Sequence, residues 1–169
     1  ALGFSSKPHK EKRIIEIGDA IHVEPPPAPA LTLELALPPL DADQAYWYRM
    51  AQVVSLRDGV DAASRTLWLS LLYTEALYRP WAESEAGAFG LGQLYGDLRT
   101  QETDADPIAN LRVSLNEWLR LVADADGDFT EAIFRYKGIT SADTEWQAAL
   151  VWDYVRITGM KPAEQGVRL

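Results

Sequence analysis

Leu67-Trp68-Leu69-Ser70-Leu71-Leu72-Tyr73-Thr74-Glu75 is the stretch that decides the fold. Its apolar residues fall on nearly every side of a helix instead of on one stripe, so a helix over roughly Ala62 to Tyr78 is expected to be central and buried. Glu75 breaks the pattern at its C-terminal end. A carboxyl group there is expected to be partly desolvated, which favours the protonated form that a general acid needs. The plainer alternative is that Glu75 lies on the solvated side of a half-buried helix.

Outward from this helix the signals stay helical. Asp41 to Gln44 has the form of a capping box, followed by Trp47, Ala51 and Val54 on one face. Asp106-Pro107 is a helix start with proline at the first helical position, and Ile108, Leu111, Leu115, Trp118 or Leu119, and Val122 then recur at helical spacing. Asp128 is placed to cap a helix carrying Phe129, Ala132, Ile133 and Tyr136, which Gly138 ends. Trp146, Leu150 and Tyr154 form a last stripe, stopped by Gly159 and Pro162. The expected fold class is all-α, a helical domain of about five or six helices over residues 41–169, with at most a short extended N-terminal segment.

Residues 1–40 read differently. Seven of the ten prolines fall there, and its start is locally basic, with Lys7, Lys10, Lys12 and Arg13 against one acid, Glu11. Such a segment favours an extended arm. Within it Leu31, Leu33, Leu35 and Leu37 alternate with Thr32, Glu34 and Ala36, a period of two suited to a strand lying on an apolar surface. Residues 1–24 offer little apolar surface and are expected to be dispensable for folding.

The totals bound the function. A chain of 169 residues, 47% hydrophobic and 24% charged, is enough for one domain with a real core. No apolar run approaches a membrane span. The chain begins at Ala1 without a signal-peptide pattern, and a removed leader or longer N-terminal part is the expectation. The absence of cysteine excludes disulfides, thiol nucleophiles and thiolate metal sites. A net charge of −9 argues against nucleic acid and against an anionic membrane surface, and favours a neutral or carbohydrate ligand.

After Glu75 comes a loop with Pro80, then Gly87-Ala88-Phe89-Gly90-Leu91-Gly92-Gln93-Leu94. Three glycines so close together describe a backbone that approaches something closely. A phosphate cradle fails, because no Lys-Ser or Lys-Thr follows and there is no G-x-G-x-x-G. Asp124, Asp126 and Asp128 have calcium-loop spacing, but the sixth position is Phe129 and the twelfth Arg135, so a polar helix–helix turn is expected and no metal or other cofactor. His9 and His22 have no ligand spacing. Of the six tryptophans, Trp68, Trp118 and Trp146 sit on core stripes, and Trp81, in the loop after Glu75, is the one placed to stack on a sugar.

Taken together these blocks resemble the soluble lytic transglycosylase domain of the goose-type lysozyme superfamily. Its signature is Glu-Ser, a loop with Asn-Pro, a Ser, then Gly-Ala-x-Gly-Leu-Met-Gln. With Glu75 as the signature Glu, Pro80, Ser84, Gly87, Ala88, Gly90, Leu91 and Gln93 match without a gap. Asp106-Pro107 with Asn110 and Leu111 resembles the family's Asp-Pro…Asn-Ile. Gly127-Asp128 with Ala132 and Tyr136 resembles the helix ending in Tyr-Asn-x-Gly, and Trp152-Asp153-Tyr154-Val155 its closing Tyr-Val. The resemblance covers about residues 60–156. The departures are Ala76 for the Ser, Gly92 for the Met, Tyr95-Gly96 for Met-Pro, and Lys137 for the Asn with Gly138 one place early.

The resemblance implies a lysozyme-like fold and a peptidoglycan-cleaving lytic transglycosylase. Glu75, protonated, would donate to the oxygen of the MurNAc-GlcNAc β-1,4 bond, then draw the proton from the 6-hydroxyl and close a 1,6-anhydro ring. One carboxyl suffices, whereas ordinary glycosidases need two. Gln93, Ser84 and Tyr95 would contact the glycan, and Tyr136 would hold Glu75 through its hydroxyl. The partner expected is a glycan strand, with the arm leading to a larger assembly, in a cell envelope or periplasm, a secretion route or a phage particle. Two alternatives stay open: a muramidase using Glu83 or Glu85 to position water, and a weakly catalytic or structural peptidoglycan-binding domain of a phage particle or secretion machine.

Overall fold

The computed structural model of the protein describes residues 15–17, 20–22, 35–57, 59–139 and 144–159. Two compact units divide the chain, Ala1–Ala30 and Leu31–Leu169. In the first, strands β1 (Ile15–Ile17) and β2 (Ala20–His22) pair antiparallel, with Ile15 opposite His22. The second is helical: α1 (Ala42–Ser55), α2 (Ala62–Ala76), α3 (Gln101–Ala105), α4 (Pro107–Asp124), α5 (Phe129–Tyr136) and α6 (Thr144–Thr158). The all-α reading holds for this unit. The short α3 and a 3-10 turn at Gly96–Leu98 are additions that local periodicity did not announce. No described helix is long and apolar enough to cross a membrane.

Helix α2 packs on α1, α4 and α6, as its all-round apolar sequence demands. Leu67, Trp68, Leu69, Leu71 and Leu72 are fully buried. Both large indoles of the core find partners across the α2–α4 contact. Trp68 Nε1 donates to Ser114 Oγ at 2.9 Å, and Trp118 Nε1 donates to the Ser64 carbonyl at 3.0 Å. These bonds remove the cost of burying the ring N–H and fix the register of the two helices.

The caps stand where the sequence placed them. Asp41 and Gln44 exchange reciprocal bonds at the start of α1. Asp106 accepts from Ile108 N at the head of α4, and Asp128 from Glu131 N at the head of α5, which settles Asp128 as a helix cap. Asp124 pairs with Arg120. Among the described residues no three His, Asp or Glu side chains converge as metal ligands. Leu35, Leu37 and Leu40 pack on the helical core, and Ala36 N donates to the Ile157 carbonyl at 2.8 Å. The segment just before α1 therefore belongs to the helical unit. Leu31, Leu33, His9 and the side chains of Trp146 and Trp152 lie outside the described residues.

Asp61 caps α2 by accepting from Ser64 N at 2.9 Å. Burial pushes its carboxyl up, but the Ser64 N–H and hydroxyl pull it further down, leaving it below the ordinary carboxylate value. A depressed folded-state value means that the cap's contribution is fully present above the unfolded-state value and is lost as pH falls through the folded one. Asp61→Ala is therefore expected to cost about 1 kcal/mol in urea denaturation at neutral pH. The difference from wild type should shrink on acidification below about pH 4. A pH-independent difference would remove the carboxylate from the account.

Candidate active site

At its C-terminus α2 turns sharply. Leu77 and Tyr78 both take left-handed backbone conformations, with φ of 50° and 54°. Two consecutive non-glycine residues there are costly, and such strain persists only where surrounding structure enforces it. Tyr78 supplies the enforcement. It is fully buried, its hydroxyl donates to the Leu69 carbonyl at 2.8 Å, and its ring lies against Tyr48 and Tyr73. From the other side Gln44 Nε2 donates to the Leu77 carbonyl at 3.1 Å. The corner immediately after Glu75 is thus held rigid.

The glycine segment is a tight loop pinned from two sides. Phe89 bridges both Glu83 and Leu94, and Gly90 N donates to the Ala82 carbonyl at 2.8 Å. Beneath it, buried Asn110 on α4 accepts from Gly92 N at 2.8 Å and donates to the Phe89 carbonyl at 3.1 Å. Outside it, Arg99 donates to the Gly87 carbonyl and to Glu83, both at 2.8 Å, pairs with Asp104, and stacks over the Phe89 ring at 4.7 Å. Gly90 and Gly92 are required by close approach. A Cβ on Gly90, whose φ is +80°, would stand 2.3 Å from Asn110 Nδ2, and one on Gly92 would stand 2.2 Å from Ser114 Cβ. The loop lies too close to α4 for a side chain, so Gly92 stands where the resemblance expects methionine.

Helix α5 joins this loop to Glu75. It ends in a glycine cap: Gly138 has φ of +65°, its N–H donates to the Arg135 carbonyl, and Ile139 N donates to the Phe134 carbonyl. The cap fixes two consecutive residues. The Tyr136 hydroxyl donates to the Gly92 carbonyl at 2.8 Å, and the Lys137 ammonium pairs with Glu75 Oε1. The Glu75 side chain is 19% exposed and that of Lys137 13%. Lys137 also sits at a helix C-terminus, where a cation is favoured.

This corrects two expectations. Tyr136 holds the glycine loop through its hydroxyl, and it is Lys137 that contacts Glu75. The Glu75 carboxyl is partly desolvated as expected, but as one half of an ion pair. Burial pushes the Tyr136 hydroxyl well above its ordinary range, opposed by the Ser114 hydroxyl and reinforced by the Glu75 carboxylate. Tyr154 is raised in the same way, with its hydroxyl 3.0 Å from Thr74 Oγ1. Both phenols stay neutral hydrogen-bonding groups beside Glu75.

The remaining sequence candidates take loop-building places. Ser84 Oγ accepts from Ala88 N at 2.9 Å. The Gln93 amide nitrogen donates to the Ala82 and Gly90 carbonyls, each at 3.0 Å, and its backbone is left-handed with φ of 48°. Both therefore shape the loop that the sequence had them use for contacting glycan. Tyr95 is 64% exposed at the rim. Sequence reasoning missed Arg99, Ser114 and the pairing of Lys137. Only Lys137 had left a signal, as a departure from the family motif. Comparison of the chain with protein-family models, with curated proteins and with solved structures returns no match.

Proposed function

We propose that the helical unit acts on peptidoglycan glycan strands as a lytic transglycosylase, with Glu75 as its acid and base. The observation that carries the reading is the bridge at the end of α5. Tyr136 binds the Gly92 carbonyl and the adjacent Lys137 binds Glu75, so one fixed turn ties a partly buried carboxyl to the glycine loop packed on α4. In the reaction, Glu75 protonates the glycosidic oxygen as that bond breaks. The same carboxylate then takes the proton of the 6-hydroxyl while its oxygen bonds to the anomeric carbon. No water is consumed and the carboxyl ends protonated, ready for a further turnover.

The muramidase alternative asks Glu83 or Glu85 to activate water, yet Glu83 is paired with Arg99. The second reading that an observation favours is glycan binding without cleavage. The Lys137 ammonium occupies Glu75 Oε1 and must move aside before that oxygen can meet a glycosidic bond. Incubation with insoluble peptidoglycan separates the two. Cleavage predicts that the protein sediments with the polymer and releases soluble glycan; binding alone predicts sedimentation with no release.

A further inference from the structure

We propose a second carbohydrate-binding surface on this unit, a groove lined by Trp47, Trp81, Asp43, Arg79, Pro80 and Ala82. It rests on the reading of the protein as glycan-directed and extends that site by giving the strand a place to lie. Trp81 is 60% exposed, and Tyr46, also exposed, stands edge-on to Trp47 with centroids 5.0 Å apart. Trp47 is half-buried, packed on the helical core, and Trp81 offers a large exposed apolar face whose burial is favourable.

The edges define the class of ligand. Arg79 is paired with Asp41, so the basic group at the rim is already matched by an acid, and Asp43 adds a further carboxylate. An anionic ligand would meet a compensated cation. A pyranose in a β-1,4-linked amino-sugar strand fits better: its C–H faces are apolar and its edges carry hydroxyl and acetamido groups for Asp43 and Arg79.

The groove is continuous with the glycine loop. The groove wall at Ala82 accepts through its carbonyl from Gly90 N at 2.8 Å and from Gln93 Nε2 at 3.0 Å. The head of α1 is clamped to the same wall by the Arg79–Asp41 pair and by Gln44 on the Leu77 carbonyl. Groove and loop are thus one hydrogen-bonded piece, assembled before any ligand arrives.

The test is calorimetric titration of the full chain with a soluble β-1,4-linked N-acetylglucosamine hexamer. Wild type and Glu75→Gln are expected to bind alike, and Trp81→Ala to bind about tenfold more weakly or worse, the effect of losing one stacked aromatic face. Trp81 is exposed, so its removal leaves the core intact; Trp47→Ala should weaken binding in parallel, and Trp81→Phe should recover part of the affinity. Failure of wild type to bind the hexamer, or equal binding by Trp81→Ala, overturns the groove. Hexamer binding that depends on Trp81, with no cleavage of peptidoglycan, would leave the groove standing and remove the catalytic reading alone.

Discussion

Glu75→Gln is expected to lower release of glycan from peptidoglycan by roughly two to four orders of magnitude, the usual contribution of a positioned acid and base. The substitution keeps the shape and removes the transferable proton, so folding and glycan binding should persist. Sequence alone leads one to expect unchanged or higher stability, because a desolvated carboxyl is costly. The ion pair reverses that sign. With an amide at position 75, the Lys137 ammonium loses its counter-charge in a setting where its side chain is only 13% exposed. A loss of about 1–2 kcal/mol is expected, less than for a fully buried pair because a lysine can swing its head toward water. Urea denaturation reads this separately from activity. Cleavage that survives Glu75→Gln while failing in Glu83→Gln would show that the acid has been assigned to the wrong residue.

The second large effect lies in the glycine loop. Gly92→Ala would place a methyl carbon 2.2 Å from Ser114 Cβ, 2.8 Å from its Oγ and 3.3 Å from the Tyr136 hydroxyl. Ser114 is fully buried on α4 and holds the Trp68 indole, so it has nowhere to retreat. The loop must give way, and with it the bonds from Gly92 N to Asn110 and from Tyr136 to the Gly92 carbonyl. Overpacking together with two broken buried bonds should cost about 3–5 kcal/mol. Gly92→Met, with its longer side chain, should be worse. Gly96→Ala is the control: its φ is +59° but its Cβ would meet open space, so about 1 kcal/mol is expected. Equal stability of Gly92→Ala and wild type would mean that the loop does not lie on α4 as described.

Much of the fold was legible because local signals agreed with packing. Asp41, Asp106 and Asp128 cap their helices as read, and α2, apolar on all sides, is enclosed by three others, though its own cap, Asp61, was not read from the sequence. The pairing of β1 with β2 was not foreseen inside a segment read only as an extended arm, and α3 is too short to leave a period. At the site, the position of Glu75 and the tightness of the glycine loop followed from local composition. Their connections did not. Lys137 meets Glu75 across 62 residues and Asn110 meets Gly92 across 18, contacts that no local pattern encodes. Tyr136 shows the limit of a motif: its hydroxyl holds the Gly92 carbonyl, where the resemblance had it hold Glu75.

The claim that Glu75 cleaves glycan without water is tested most directly by the mass spectrum of purified peptidoglycan after incubation with wild-type protein and with Glu75→Gln. The account predicts fragments ending in 1,6-anhydro sugars, one water lighter than hydrolysed ends, with wild type and almost none with the variant. Reducing ends in place of anhydro ends would assign the reaction to a hydrolase, and an unchanged polymer would contradict catalysis altogether.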